Sequence, residues 1–265
     1  MPRVRLKNAV PGLIRHLPHH KPWMVALSII AIVVVVGTCG FGSYLLVRDD
    51  GTVVAVDPNA HPTIPKRDIS NRTVDPTPLT AADVFPTVEI IADPSVPPYK
   101  RFGEPQVAAD CRNGASGDLG KLLVTLGCNQ VVRATFSSTD GQFLVTAGMF
   151  NMPDAEAATK AEAEIKNLSD QNKGRLSGYV PQQAVAATKM LGRSPTHVAW
   201  DAHEHFVLYT VICRVDGKDF EAEDPHTKII VYDIVEKYLR DKVVAEWSID
   251  KAALPSPTVS ASAAP

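Results

Sequence analysis

Gln130-Val131-Val132-Arg133-Ala134-Thr135-Phe136, then Thr139-Asp140-Gly141, then Phe143-Leu144-Val145-Thr146-Ala147-Gly148-Met149-Phe150 is the stretch whose reading decides the fold. Both runs are rich in β-branched and aromatic residues, which suit a pleated, half-buried surface. Between them Asp140-Gly141 supplies the reversal, because glycine takes positive φ with no Cβ penalty. A β-hairpin is therefore expected. A helix follows from Pro153-Asp154. Proline suits a first helical turn, aspartate favours a helix N-terminus, and Ala158, Ala161, Ile165 and Leu168 recur every three or four residues as one apolar stripe.

The same order recurs downstream. Thr196 to Trp200 reads as a strand, Asp201-Ala202-His203-Glu204-His205 as a polar turn and Phe206 to Val215 as a second strand. A helix after Asp224-Pro225 runs to about Asp241. In that helix Ile230, Ile234 and Tyr238 with Val231, Val235 and Leu239 make a broad apolar face. Two ββα units predict an α+β fold, an antiparallel sheet with helices packed on one face as a two-layer sandwich. Val132, Ala134 and Phe136 make one side of the first strand apolar. The other side, with Arg133, Thr135 and Thr146, reads as left to solvent or a partner. Val180 to Leu191 reads as a shorter helix between the units.

This domain is expected over residues 108–250. Residues 48–107 hold ten prolines and two glycines in short polar pieces, which reads as an extended, Pro-rich extracytoplasmic linker. Within it Val84 to Ile91 is apolar enough to dock on the domain as an edge strand. The Ser, Ala and Pro of residues 251–265 read as a disordered tail.

Trp23 to Val47 is a run of twenty-five residues with no acid, base or proline. At about 1.5 Å per residue it reaches roughly 37 Å, enough to cross a hydrocarbon core of about 30 Å. Residues 1–22 carry Arg3, Arg5, Lys7, Arg15 and Lys21 and no acid, so this basic tail is expected in the cytoplasm and the rest outside. A cleaved signal peptide would have a shorter apolar core. A lipoprotein signal is matched only loosely by Val36-Gly37-Thr38-Cys39. The expectation is a single-pass protein of the cell membrane, with the bilayer as its partner through residues 23–47.

Outside the membrane, residues 108–250 hold 15 Lys plus Arg against 20 Asp plus Glu. Nucleic-acid binding needs clustered cations, and this domain has none, so no nucleic-acid partner is expected. Cys111 and Cys128 bracket a short segment with a helical core at Asp118 to Leu123 and are the candidate disulfide in an oxidising compartment. Cys213, inside a strand, reads as a buried free thiol, although its pairing with either other cysteine stays open.

The candidate site is Asp201, His203, Glu204 and His205, with His197 and His226 nearby in sequence. Imidazole and carboxylate are zinc ligands, and His203 and His205 would share a face in an extended chain. The helical His-Glu-x-x-His spacing of metalloproteases is absent, and a polar hairpin turn accounts for the same residues. Nucleophile elbows, Ser-x-x-Lys and phosphate loops are likewise missing. The acidic run Asp216 to Asp224 lacks EF-hand spacing and reads as a solvated loop ending in a helix cap. No metal, cofactor or catalytic residue is therefore assigned.

Gly127-Cys128-Asn129-Gln130-Val131-Val132-Arg133-Ala134-Thr135-Phe136, with Val145-Thr146-Ala147-Gly148 and Arg214-Val215-Asp216-Gly217, resembles a group of uncharacterised membrane-anchored proteins of high-GC Gram-positive bacteria. The resemblance implies a bacterial cell-envelope setting and brings no activity with it. The expected function is non-enzymatic: a binding, sensory or assembly protein with a cell-envelope protein partner. The alternatives are an anchored hydrolase with a dispersed site and an oligomerising structural accessory protein.

Overall fold

The hairpin forms where its Asp-Gly turn puts it. In the computed structural model, which describes residues 64–194, 196–221 and 224–254, Gly141 has φ +72° and its N–H donates to Ser138 O. In chain order the elements are α1 (Ala81–Val84), β1 (Glu89–Ile90), β2 (Tyr99–Ala108), β3 (Ala115–Ser116) and α2 (Gly117–Thr125). The hairpin β4 (Gln130–Ser137) and β5 (Phe143–Asn151) follows, then α3 (Ala155–Asp170), β6 (Gly174–Leu176) and α4 (Val185–Thr188). The second hairpin is β7 (His197–His203) and β8 (Phe206–Arg214), and a long C-terminal helix spans 225–247. That helix is α-wound over Pro225–Val231, π-wound over Tyr232–Val244 and α-wound again over Ala245–Trp247.

Six strands form one antiparallel sheet in the order β1-β2-β4-β5-β8-β7. The two ββα units lie side by side through β5 and β8, with Thr146 opposite Val211 and Asn151 opposite Phe206. Both long helices are capped as their sequences require. Asp154 accepts the Ala157 N–H, and Asp224 accepts the His226 N–H with Pro225 at the first helical position.

The sheet is covered on both faces, which corrects the two-layer expectation. Val132, Ala134, Phe136, Val145 and Leu208 pack with Ile234, Tyr238 and Leu239 of the C-terminal helix. The alternate residues Val131, Leu144, Val207 and Tyr209 pack with Leu119 and Leu123 of α2 and with Ala158, Ala161 and Ile165 of α3. Each ββα unit thus sends its helix to the opposite face from the other. Burying one Val, Leu, Ile or Phe contributes about 1.5–3 kcal/mol, so both layers hold the sheet.

The sheet face expected to be open is closed as well. Arg133 is 6% exposed, and Thr135 and Thr146 are buried. A strap of chain over Ser177 to Pro181 covers them: Arg133 donates to Ser177 O and Gln106 Oε1, Thr135 Oγ1 donates to Tyr179 O, and the Tyr179 N–H donates to Thr146 Oγ1 at 2.9 Å.

Residues 64–107, expected within the linker of residues 48–107, fold with the domain. β2 pairs with β4 along its length, and Ile69, Leu79, Val84, Phe85, Ile90 and Tyr99 are core. The pieces between its prolines are short and polar overall but still bury large apolar side chains, three of them (Leu79, Val84 and Phe85) between Pro78 and Pro86. The docked edge strand does appear, as Glu89–Ile90 against β2. Residues 64–71 also close onto the end of the domain: Arg67 N–H donates to Ser248 O and Asp250 N–H to Pro65 O. The expected basic tail of residues 1–22, the span of residues 23–47 and all but residues 251–254 of the C-terminal tail lie outside the described residues. Among those described, no helix is long and apolar enough to cross a membrane.

Cys111 and Cys128 are bonded, and Cys213 is a buried free thiol pushed up to about 12 by desolvation. The bond points to an extracytoplasmic domain, because disulfides persist where no cytosolic reductant reaches them.

Candidate functional site

The sequence-derived group Asp201, His203, Glu204 and His205 does not converge. β7 runs on through Asp201 and His203, so the turn is only Glu204-His205, with His203 paired to Phe206. The strand alternation that would have put His203 and His205 on one face therefore stops before His205. Asp201 lies 4.0 Å from Arg240 of the C-terminal helix. His203 and Glu204 line a groove of about 340 Å³ with Lys66, Arg67, Arg240 and Asp241. Glu204 itself is exposed and has φ +53°, as the first central position of such a turn requires.

His205 is fully buried, against its expectation as an exposed turn residue. Its Nδ1 meets Ile69 O, and since a carbonyl only accepts, Nδ1 carries the proton. Nε2 then faces Asp75 Oδ2 at 3.9 Å. Asp75, also buried, takes Arg67 Nη1 at 2.6 Å on one oxygen and Trp247 Nε1 at 2.6 Å on the other. This cluster ties the residues 64–79 segment, the β7–β8 turn and the end of the C-terminal helix together. It is a structural clasp. Arg67 and Asp75 escaped sequence reasoning because they lie in a segment read as linker, and Trp247 because it is distant from both in the chain. No three His, Cys, Asp or Glu side chains among the described residues gather as a metal set.

The groove with the most site-like chemistry lies elsewhere, between the start of the C-terminal helix, the loop before β2 and the β4–β5 turn. It has about 440 Å³ and is lined by Val96, Tyr99, Asp140, Phe143, His226, Ile229, Tyr232, Asp233 and Lys237. Its floor is polar. Tyr99 Oη donates to Asp233 Oδ2 at 2.9 Å, and Lys237, one helical turn on, reaches the other Asp233 oxygen at 3.5 Å. Burial, then the Asp233 carboxylate, pushes the Tyr99 phenol well above its ordinary range, so it remains a hydrogen-bond donor.

At the groove's other end the turn presents Asp140. Burial pushes its carboxyl up, but the Ser138 hydroxyl, the Gln142 N–H and nearby His226 outweigh this and hold it below the usual carboxylate value. His226 stacks on Phe143 with centroids 5.9 Å apart and its Nδ1 lies 3.7 Å from Asp140 Oδ2. The rim is apolar: Ile229 is 59% exposed, Tyr232 49% and Val96 43%. Of these residues the sequence pointed only to His226, and in a different grouping. The spacing of Asp233 and Lys237 by four on a helix was a legible pairing signal; Tyr99 carried none.

This arrangement can seat an amphipathic ligand. Apolar side chains at the rim offer contact area, and paired charges beneath offer oriented hydrogen-bond groups. Compared with known protein families, with curated proteins and with solved structures, the chain matches none.

Proposed function

We propose that this chain is a single-pass membrane protein, crossing the bilayer through residues 23–47 with its N-terminus in the cytoplasm. Its α+β domain then works outside as a binding module for a cell-envelope protein. The disulfide supports the extracytoplasmic side of this reading. The carrying observation is the groove rim, where Val96, Ile229 and Tyr232 remain exposed beside a floor of mutually paired charges. A shallow amphipathic groove suits a protein segment. The resemblance to membrane-anchored envelope proteins agrees with this setting.

The anchored-hydrolase reading draws less support. Asp233 is taken up by Tyr99 and Lys237, and the Ser138 hydroxyl donates to Asp140 rather than to His226. A photo-crosslinking residue placed at Ile229 in intact cells should capture a discrete envelope protein, and one at Glu156 on α3 should not. Ile229→Glu should abolish capture by a crosslinker at Tyr232 while the protein keeps its melting temperature. Equal capture from Ile229 and Glu156 would remove the groove from the proposal.

A further inference from the structure

Arg133 is a buried cation without a counter-ion. Gln106, Arg133, Gly148 and Tyr209 stand opposite one another on β2, β4, β5 and β8, a row across the sheet face that packs against α2 and α3. Arg133 is 6% exposed, and among the described residues no carboxylate pairs with it. Glu104 of β2 pairs with Arg101 instead, at 3.8 Å. Of the five guanidinium N–H groups, hydrogen bonds use two: Nε donates to Gln106 Oε1 at 2.7 Å and Nη1 to Ser177 O at 3.2 Å. Both acceptors are neutral. The Tyr179 ring lies over the guanidinium at 5.0 Å. Taking a cation out of water is costly unless an anion meets it.

Beside it lies a second unsatisfied group. Tyr209 is fully buried, and its Oη has no hydrogen-bond partner among the described residues. Its ring leans over Gly148, where a Cβ would meet Tyr209 Cε1 at 2.5 Å and Oη at 2.8 Å. The row therefore has no side chain between guanidinium and hydroxyl. Burial pushes the phenol up, so it keeps its proton; Arg133 is near enough to oppose this but does not bond it.

We propose that Arg133 and Tyr209 form a binding site for a carboxylate, which replaces Ser177 O on the guanidinium and accepts the Tyr209 hydroxyl when the Ser177–Pro181 strap lifts. One guanidinium balances one negative charge, which suits a carboxylate rather than a phosphate dianion. Its planar edge also takes both carboxylate oxygens in parallel, a pairing that a lone carbonyl cannot make. The strap holds this place with weaker chemistry. Ser177 O and Tyr179 O accept from Arg133 and Thr135, and the Tyr179 N–H donates to Thr146. Residues 177–180 are half-buried and in no helix or strand, so one partly exposed layer separates Arg133 from water. The groups it offers are those of an extended peptide. A peptide C-terminus can therefore fill the whole face, and a small organic acid the Arg133 end alone. The site uses none of the groove residues and lies on the opposite face of the sheet, so it stands or falls independently of the proposed binding function.

The test is isothermal titration of the full chain in detergent, at constant chloride, with propionate and with the tripeptide Ala-Gly-Ala, each compared with its amide. Both acids should bind saturably, one to one, and neither amide should. Tyr209→Phe removes a hydroxyl that bonds nothing in the protein, so it should keep the wild-type melting temperature and weaken acid binding about tenfold. Arg133→Gln should abolish binding; if that variant fails to fold, Tyr209→Phe decides. Tighter binding of the tripeptide than of propionate assigns the site to a peptide C-terminus, and equal or weaker binding to a small acid. Absence of binding by either acid, equal binding of acid and amide, or an unchanged affinity in Tyr209→Phe overturns the proposal.

Discussion

His205 and His203 are two residues apart and have opposite fates. His203 borders an open groove, so His203→Asn should change stability by no more than about 0.5 kcal/mol. His205 fills a buried site and satisfies Ile69 O, so His205→Ala should cost about 2–4 kcal/mol in chemical denaturation. pH separates them too. Burial, reinforced by Arg72, lowers the His205 imidazole, and the Ile69 carbonyl, Asp75 and Glu204 oppose this without cancelling it. A base whose native pKa is depressed takes its proton first in the unfolded chain. Its contribution is therefore complete above about pH 6.5 and is lost as pH falls below that. The melting temperature should drop between about pH 7 and pH 5, and His205→Asn, which keeps a donor for Ile69 O, should drop less steeply. An unchanged slope in that variant would show that another group governs the titration. Cys213, with its thiol pushed up to about 12, should resist alkylation in the native protein and react on unfolding.

Among the elements, the α2 segment is held by the Cys111–Cys128 bond, which closes a separation of 17 residues. Cys111→Ser and Cys128→Ser should each cost about 2–4 kcal/mol, and the double variant no more than either, since one bond is lost in all three. Clearly additive losses in denaturant titrations would contradict this. At the β7–β8 turn, Glu204 bears a positive φ that a side chain resists, so Glu204→Gly should raise stability by about 0.5 kcal/mol in the same assay. The sequence marked that turn as polar but began it three residues too early, at Asp201 rather than Glu204. It marked the Asp140-Gly141 hairpin and the Asp224 cap correctly, because turn and cap chemistry is local, but it put Pro153 in a first helical turn, whereas that helix starts at Ala155 behind an Asp154 cap. β2 escaped it for an equally physical reason. Gly103 and Pro105 interrupt the strand pattern where the register shifts between Phe102 and Gln106, and such residues read as linker until a neighbouring strand is present.

For the molecule as a whole, the proposed orientation predicts that a tag after Ala264 is digested by protease added to intact spheroplasts, while an N-terminal tag is protected. The reverse pattern would invert the topology. The clasp predicts that truncation before residue 76 destabilises the entire domain, because it removes Ile69 and Asp75 from beneath His205 and Trp247; an unchanged melting temperature would show the clasp to be idle. By itself the sequence determined the antiparallel ββα repeats, the helix starts and the bracketing cysteines, since each depends on propensities and spacings within about twenty residues. Only the tertiary structure decided that both sheet faces are covered, that residues 64–107 belong to the domain, and that Tyr99 meets Asp233 while His205 faces Asp75. Those outcomes depend on which distant segment reaches a given surface first and fits it. A buried aspartate or an apolar strand face looks the same in sequence whatever comes to cover it.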